Sequence, residues 1–210
     1  MEITDRPTIP RIRRLRRAEL PVETVGLARY LIGKVLVHDT ARGRMAGRIV
    51  ETEAYLVGDA AAHTFRGPTP RNRPLYLEHG HAYVYFIYGF HYLLNVSGER
   101  AGVGEGVLLR AMEPLEGIEL MQRARGTTRL VDLARGPGRL AAAMHVDRRF
   151  DGLDLCSSEP LWLGALREFR QRRVAIGESV RIGIRRDAHR VLRFYERGSS
   201  FVSGPKRLRA

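Results

Sequence analysis

Two carboxylates and an aromatic ring stand at alternate positions in one short stretch of the sequence, residues 48–55. The stretch places Glu51, Glu53 and Tyr55 two residues apart. In a β-strand this spacing puts the three side chains on one face, with successive ones about 6–7 Å apart. A polar strand edge has the same pattern, whereas a buried carboxylate within reach of a bound substrate is a candidate general base. The spacing alone does not distinguish these two interpretations. It also does not show which of the two acids would be the general base.

Two further segments carry donors that suit phosphate groups. In residues 68–73, prolines flank Thr69 and the arginines Arg71 and Arg73 surround Asn72, so hydroxyl, amide and guanidinium donors lie together. A solvated loop capped by Asn72 explains the same segment equally well. Residues 136–139, Gly-Pro-Gly-Arg, predict a helix start whose free backbone N–H groups and Arg139 guanidinium offer an anion site.

Aromatic residues are densest between residues 81 and 90. Strand alternation puts Tyr83, Tyr85 and Ile87 on one face of this run and Val84, Phe86 and Tyr88 on the other. Such rings usually fill a hydrophobic core. In an arginine-rich chain, tyrosines beside a glycine turn are also candidates for stacking on a nucleic-acid base or for wedging between base pairs.

Metal ligands are not indicated by the histidine and cysteine pattern. Four of the seven histidines lie between residues 63 and 91, but no pair of them falls on an evident helix. The one cysteine, Cys156, has no partner for a metal site or a disulfide, which fits a structural role in a reducing compartment. We therefore predict no metal site.

The charge balance favours a polyanionic partner. The 210 residues carry 36 basic and 23 acidic side chains, for a formal net charge of +13, and Lys34 and Lys206 are the only lysines. Nucleic acid is the first interpretation, with a membrane surface or plain solubility as alternatives. The chain has no apolar run of about 20 residues and its basic start lacks a signal peptide's apolar stretch, so we expect a cytoplasmic protein, nucleoid-associated if prokaryotic.

Hydrophobic periodicity predicts a mixed α/β (α+β) domain with a mainly antiparallel curved sheet and flanking helices. The predicted helices cover residues 21–33, 115–126 and 137–144, and the predicted strands cover 34–39, 45–55, 82–88, 92–97, 107–112, 180–184 and 191–195. We divide the chain into a basic N-terminal arm (1–17), one catalytic domain (18–203) and a basic C-terminal tail (204–210). The arm either follows a phosphate backbone or is only a solvated tail.

From about residue 27 to residue 201 the sequence resembles the alkyladenine (3-methyladenine, methylpurine) DNA glycosylases. The matching segments, in order and at matching distances, are residues 48–55, 61–63, 69–73, 83–89, 108–117, 136–137 and 192–195. The arm has no counterpart, the loop at residues 66–70 is about one residue short, and Phe90 replaces a smaller or more flexible residue of some members.

The resemblance implies a monomer that slides along duplex DNA and flips a damaged purine, such as 3-methyladenine, hypoxanthine or ethenoadenine, into a pocket. It further implies hydrolysis of the N-glycosidic bond without metal or cofactor, which leaves an abasic site. Strand cleavage by a lyase step needs an amine, and both lysines lie outside the matched motifs, so we expect none.

The resemblance also assigns roles to single residues. Glu53 would hold the attacking water. Arg110 would help to position this acid and the water, and the Ile182 backbone would lie nearby. The residues implied to line the base pocket are Tyr55, His63 and Tyr85, which sandwich the base, together with Asn95, Leu108 and Ile182. Asn95 would oppose the 2-amino group of guanine. The residues expected at the DNA are Tyr88 as the wedge that fills the gap in the helix, its neighbours Gly89 and Phe90, and Thr69, Arg71 and Arg139.

Two rival functions fit parts of the pattern. A nucleic-acid-binding module without catalysis would use the same arginines and tyrosines, but a buried acid such as Glu53 beside its ligand would only repel phosphate. A transferase on a related fold would need a catalytic histidine and asparagine pattern that the sequence does not show.

Overall fold

The computed structural model describes residues 11–87, 89, 91–157, 159–167 and 174–208. In this part of the chain nine strands form one antiparallel sheet with three α-helices against it, so the predicted α+β fold is confirmed. The strands are β1 (Ile12–Arg14), β2 (Val35–Thr40), β3 (Gly43–Tyr55), β4 (Ala82–Ile87), β5 (His91–Ser97), β6 (Gly106–Glu116), β7 (Leu161–Leu166), β8 (Ile176–Ser179) and β9 (Arg193–Glu196). The helices are α1 (Thr24–Leu31), α2 (Ile118–Arg125) and α3 (Pro137–Ala143).

Strand β3 is the central element of the sheet. The strand order is β1-β7-β2-β3-β6-β5-β4, while β9 also pairs with β3 and β8 pairs with β9. Residues 43–48 of β3 pair with β2, and Glu51 to Glu53 pair with β9 on one side while β6 lies on the other. Glu51 and Glu53 therefore lie inside the sheet, which rules out the interpretation as a polar strand edge. Register shifts on both sides of Glu51 in the β3–β6 ladder indicate a bulge, a device that bends a strand and redirects its side chains.

Side-chain alternation on β4, β5 and β6 separates two apolar clusters. Val84, Leu94 and Leu109 belong to the main core, which the helices cover, whereas Tyr83, Tyr85 and Leu108 form a second cluster on the other face. Tyr83, Tyr85 and Ile87 therefore lie on the opposite face of β4 from Val84, as predicted, and Ile87 packs on the second cluster. Tyr88 lies outside the described residues.

Helix α1 supports β3 from the core side. The Glu23 carboxylate accepts hydrogen bonds from the N–H groups of Val25 and Gly26, which satisfies free donors of the first turn. The buried face of the helix meets β3, where the Thr52 hydroxyl donates to the Ala28 carbonyl over 2.9 Å. Because Thr52 faces α1, its neighbours Glu51 and Glu53 point to the opposite face of the sheet.

The prediction of a strand at residues 180–184 is wrong. The strand of this region, β8, ends at Ser179, and the following residues are irregular. Gly183 has φ of 79°, and the Ile182 N–H donates to the Glu53 carboxylate instead of to a neighbouring strand. The apolar alternation of this segment lines a cavity, which sequence periodicity cannot distinguish from a strand. Strands β1, β7 and β8 were not predicted.

The described parts of the predicted arm and tail are packed against the domain. Strand β1 pairs with β7, and Leu15 is fully buried. Arg17 forms an ion pair with Asp154 over 2.7 Å. At the other end Ser203 is buried, and the Leu208 carbonyl accepts a hydrogen bond from Arg193. Residues 1–10 and 209–210 lie outside the described residues.

Cys156 lies in the main core, where burial raises the pKa of its thiol to about 11. A thiol with this pKa is protonated near neutral pH and unreactive. Across the described ranges, no helix is long and apolar enough to cross a membrane.

Candidate active site

A cavity of about 430 Å³ lies on the face of β4, β5 and β6 that turns away from the main core. Its walls include all six residues expected to form the base pocket, namely Tyr55, His63, Tyr85, Asn95, Leu108 and Ile182. Arg110 also lines it. The volume lies in the range of small-ligand sites, and most of the walls are aromatic or aliphatic with few polar groups.

Glu53 lies behind the wall of this cavity and is fully buried. Its Oε2 accepts a hydrogen bond from the Tyr55 hydroxyl over 2.9 Å, and its Oε1 accepts one from the Ile182 N–H over 2.7 Å. Arg110 Nη1 lies 3.2 Å from the same Oε1. A carboxylate has about four acceptor positions. The two hydrogen bonds use one acceptor position on each oxygen, Arg110 adds its charge beside Oε1, and no other donor of the described residues is recorded at Oε2, which leaves an acceptor position there.

Glu51 has a different environment and does not line the cavity. Its Oε1 accepts hydrogen bonds from Arg110 Nε over 2.9 Å and from Arg193 Nε over 2.7 Å. Its Oε2 accepts one from the Ser203 N–H over 2.6 Å. Arg110 therefore bridges the two acids, and Glu51 is enclosed by donors of the protein itself.

The two acids differ in their affinity for protons. Burial raises the pKa of Glu53 above its ordinary value, although Arg110, the Ile182 N–H and the Tyr55 hydroxyl act against it. Burial also opposes the ionisation of Glu51, but the charges of Arg110 and Arg193 outweigh it and hold the pKa of Glu51 below its ordinary value. Of the two acids, Glu51 is therefore the one that ionises more readily and Glu53 the one that holds a proton more readily.

The aromatic wall is built around His63 and Tyr85. Their ring centroids are 4.4 Å apart in an edge arrangement, and His63 Nδ1 lies 2.8 Å from the Tyr83 hydroxyl. His63 keeps part of its ring exposed, yet loss of surrounding water lowers its pKa. Burial raises the pKa of Tyr83 to about 12. The wall is therefore uncharged near neutral pH, as suits stacking on a planar base, including a cationic one.

A buried ion pair that was not predicted from the sequence joins the two loops that contribute His63 and Ile182. Both carboxylate oxygens of Asp59 accept hydrogen bonds from Arg181, whose guanidinium lies 4.5 Å from the centre of the Tyr55 ring. The side chains of both ion-pair partners are fully buried. No spacing rule connects residues this far apart in the chain, and the only signal is that Arg181 precedes Ile182.

Asn95 and Leu108 form another part of the cavity wall. The two residues are directly opposite each other in the β5–β6 ladder, which places their side chains side by side. Asn95 Nδ2 donates to the Tyr83 carbonyl over 3.2 Å, so the orientation of the amide is fixed by the backbone of β4.

Thr69 and Arg71, expected at phosphates, are both exposed on the loop of residues 64–73. Between them and the core lies Asn72, which is buried and donates to the carbonyls of His63 and Gly67 over 3.0 Å each. Its Oδ1 accepts a hydrogen bond from the Thr69 N–H. The capping role of Asn72 is thus present, and it connects this loop to the His63 loop.

A basic rim lies where α3 begins at the cavity. Arg135 and Arg139 line the cavity together with residues 136–138. Both approach the Asp132 carboxylate, at 3.2 and 3.4 Å, and Arg129 does so at 3.1 Å. One acid shared by three arginines leaves the rim positively charged.

The remaining expected DNA contacts, Tyr88, Gly89 and Phe90, fall between β4 and β5 in the sequence. Gly89 is exposed with φ of 76°, a conformation that favours glycine. Tyr88 and Phe90, the expected wedge and its neighbour, lie outside the described residues. Within the described ranges, no group of three His, Cys, Asp or Glu side chains is placed to hold a metal ion.

Comparisons with known proteins point to one family. The model of the family described as methylpurine-DNA glycosylase matches residues 18–200. A protein of Mesorhizobium japonicum is 64% identical over 192 residues, 91% of each chain. A protein of Paraburkholderia phytofirmans is 53% identical over 194 residues, which are 92% of this chain and 90% of the relative. A protein of Chlorobium phaeobacteroides is 46% identical over 185 residues, 87% and 92% of the two chains. Each of the three is named "Putative 3-methyladenine DNA glycosylase".

Proposed function

The chain belongs to the methylpurine-DNA glycosylase family, and on that premise we propose that it flips damaged purines out of duplex DNA and hydrolyses their N-glycosidic bonds. The substrate class includes 3-methyladenine, hypoxanthine and ethenoadenine. The products are the free purine and an abasic site in the DNA, and the reaction uses neither metal nor cofactor. The protein acts as a monomer in the cytoplasm.

One observation carries this proposal. Glu53 is fully buried directly behind an aromatic cavity, and its two hydrogen-bond donors, Tyr55 and Ile182, and its ion-pair partner Arg110 all line that cavity. Burial of a carboxylate is costly, and a module that only binds DNA gains nothing from it. A hydrolase gains a base of raised pKa beside the reacting bond.

The aromatic wall supports recognition of the flipped base. The purine stacks between Tyr55 on one side and His63 and Tyr85 on the other. A cationic alkylated purine gains about 0.5–2 kcal/mol for each good contact with an electron-rich ring. Tyr88 is proposed as the wedge that occupies the vacated position in the helix.

The chemical step is a displacement by water. The positive charge of an alkylated purine makes it a good leaving group, so the bond to the sugar breaks with its electron pair going to the base. Water bound at the remaining acceptor position of Glu53 Oε2 forms the new bond to the anomeric carbon, and Glu53 accepts its proton. The carboxylate charge also stabilises the positive charge that grows on the sugar. Neutral lesions such as hypoxanthine additionally need protonation of the departing base.

Arg110 and the Ile182 N–H orient the acid for this step. Both contact Oε1, and we assign the water to Oε2. Asn95, fixed by the Tyr83 carbonyl, opposes the 2-amino group of guanine and so favours adenine-type bases.

The protein has no lyase activity under this proposal. None of the cavity-lining residues is a lysine, and Lys34 lies against the Tyr30 ring, away from the site. Without an amine at the sugar no Schiff base forms. Borohydride should therefore trap no covalent adduct between the protein and DNA.

The function is tested by incubating the protein with duplexes that carry hypoxanthine, ethenoadenine or 3-methyladenine, beside an undamaged duplex. The proposal predicts strand breaks at the lesion only after hot alkali, which cleaves abasic sites. Absence of alkali-sensitive sites in all three damaged duplexes would refute it, and breaks before alkali would refute the monofunctional mechanism.

A further inference from the structure

The last described residues of the chain contact Glu51 and Arg110 from the side away from the cavity. The Ser203 N–H donates to Glu51 Oε2 over 2.6 Å, and Arg110 Nη2 donates to the Ser203 hydroxyl over 3.3 Å. Residues 203–208, here called the closing segment, do not line the cavity. Their contacts reach the reaction centre only through Glu51 and Arg110.

Arg193 connects the two ends of the closing segment to Glu51. Its side chain is fully buried, and its Nε donates to Glu51 Oε1 over 2.7 Å. Nη1 donates to the Leu208 carbonyl over 2.6 Å, and Nη2 donates to the Ser203 carbonyl over 3.1 Å. The Ser179 hydroxyl accepts a further hydrogen bond from Nη1 over 2.7 Å. The position of this guanidinium therefore depends on backbone carbonyls of the closing segment.

The charges in this network are balanced and shared. Two carboxylates, Glu51 and Glu53, face two guanidinium groups, those of Arg110 and Arg193, and Arg110 contacts both acids. Arg193 and the Ser203 N–H donate to other acceptor positions of the Glu51 carboxylate. If they moved away, Glu51 would be left with Arg110 as its main partner, at the expense of the contact between Arg110 and Glu53.

We propose that Arg193 and the closing segment are a positioning device for the reaction: through Glu51 they hold Arg110 in the place from which it orients Glu53. This inference rests on the proposed glycosylase function. It assigns the C-terminal end a role in base excision, whereas its basic composition alone suggests contact with phosphate.

The two roles involve different groups of the same segment. The contacts to Glu51, Arg110 and Arg193 come from the Ser203 backbone and hydroxyl and from the Leu208 carbonyl. Lys206 and Arg207 have exposed side chains that make none of these contacts. Removal of their charges therefore separates phosphate contact from positioning.

The experiment compares the parent, a variant that ends at Gly204, and the full-length double variant Lys206→Ala/Arg207→Ala. Single-turnover excision from a hypoxanthine duplex at saturating protein reports the chemical step. The dissociation constant for a duplex with a stable abasic analogue reports binding. We expect the shortened variant to excise roughly tenfold more slowly or worse, the scale of a small misplacement of a reacting group. Its dissociation constant should match that of the double variant apart from the loss of one further charge, that of Arg209, and the excision rate of the double variant should stay within about twofold of the parent.

The pH dependence of the excision rate provides a second measurement, because a loss of stability alone would not shift it. The charged and titratable groups facing Glu53 are Glu51 and Tyr55 on β3, Arg110 on β6, Arg193 on β9 and, beside Tyr55, Arg181. With Glu51 less well neutralised, its charge disfavours ionisation of Glu53. The acidic limb of excision by the shortened variant should therefore move to higher pH, while that of the double variant should not move.

A parent rate in the folded shortened variant, or an equal loss in the double variant, would overturn the inference. If the shortened variant lacks the parent's circular dichroism spectrum, Ser203→Ala in the full chain decides: it removes one acceptor of Arg110 and keeps the N–H bound to Glu51. Its excision should fall with binding unchanged, and a parent rate would again overturn the inference. A parent protein that excises no lesion would instead refute the proposed function itself.

Discussion

At the scale of single residues, Glu51 and Glu53 differ in what surrounds them, although both are fully buried on the same strand. Glu51 is neutralised by two arginines, whereas Glu53 shares one of them and borders the cavity through Tyr55 and Ile182. Periodicity placed both acids on one face and could not choose between them. The choice depends on partners from β6, β9 and the 180–184 segment, which no local pattern of the sequence contains.

The first prediction concerns pH. Glu53 must be ionised to accept a proton, and burial raises its pKa above the ordinary 4.5, so excision should rise with pH along an acidic limb that lies above that value. Tyr55→Phe removes a donor that stabilises the carboxylate, so the pKa should rise further and the limb should move to higher pH. The measurement is kcat/KM against pH on DNA carrying 3-methyladenine, whose departure needs no protonation.

Tyr30→Phe is the control for this prediction, since Tyr30 lies on α1 with Lys34 over its ring and does not line the cavity. Its pH profile should match that of the parent. An unmoved or downward-shifted limb in Tyr55→Phe would show that this hydroxyl does not stabilise the catalytic form of Glu53.

The second prediction concerns selectivity at Asn95. Asn95→Ala removes the amide that the Tyr83 carbonyl holds at the cavity wall. Excision of guanine-type lesions, such as 7-methylguanine, should rise relative to hypoxanthine, because the 2-amino group then meets no obstacle. Competition between the two lesions in one reaction measures the ratio. If the ratio stays at the parent's value, discrimination against guanine lies elsewhere in the cavity.

At the scale of elements, the site depends on a rigid strand and two irregular loops. Strand β3 holds the acids, while the loop of residues 56–63 and the segment of residues 180–187 supply His63 and Ile182. The Asp59–Arg181 ion pair joins these two loops, and the Ala60 N–H donates to the Asp187 carboxylate over 2.8 Å. These contacts join the two loops into one wall of the cavity.

The third prediction tests this connection. Asp59→Asn leaves Arg181 as a buried charge without a full counter-charge, so the free energy of unfolding should fall by about 3–5 kcal/mol. Glu119→Gln is the matched surface control, because the pair of Glu119 and Arg123 on α2 is exposed, and its effect should stay within about 0.5 kcal/mol. Urea unfolding measures both. Equal midpoints for the two variants would contradict a structural role for the buried pair.

Local elements were predictable where the signal was local. The hairpin of β2 and β3 and helix α1 follow from apolar alternation and from proline and glycine punctuation. Strand β1 was not predictable, because its arginine-rich sequence gains its order from pairing with β7, far away in the chain. The 180–184 segment alternates like a strand, but its Ile182 N–H is used by Glu53. Tertiary contacts decided both cases.

At the scale of the whole molecule, the positive charge is distributed unevenly. Several arginines counted in the net charge of +13 are paired inside the chain, as Arg17 is with Asp154 and Arg193 with Glu51. The rim formed by Arg129, Arg135 and Arg139 around the single Asp132 keeps an excess of positive charge beside the cavity. Composition predicted the polyanionic partner but not this location.

The fourth prediction follows from this charge. If six or more arginines each displace a counterion, affinity for undamaged duplex DNA should fall by about 10³-fold between 50 and 200 mM salt. Arg135→Gln/Arg139→Gln should flatten the dependence, since each lost phosphate contact lowers the slope by about one. Titration by fluorescence anisotropy at several salt concentrations gives the slope. A slope near zero in the parent would refute binding through phosphate contacts.

The fifth prediction compares Glu53→Gln with Glu51→Gln in single-turnover excision, with binding to lesion DNA measured separately. Glutamine keeps the shape of the side chain and removes its charge and basicity. Glu53→Gln should bind like the parent but excise at least about 10²-fold more slowly, the usual range for losing a general base. Glu51→Gln should lose less, on the order of tenfold, because it acts only through Arg110. Parent-like excision by Glu53→Gln, above all if Glu51→Gln were inactive, would contradict the assignment of the reaction to Glu53.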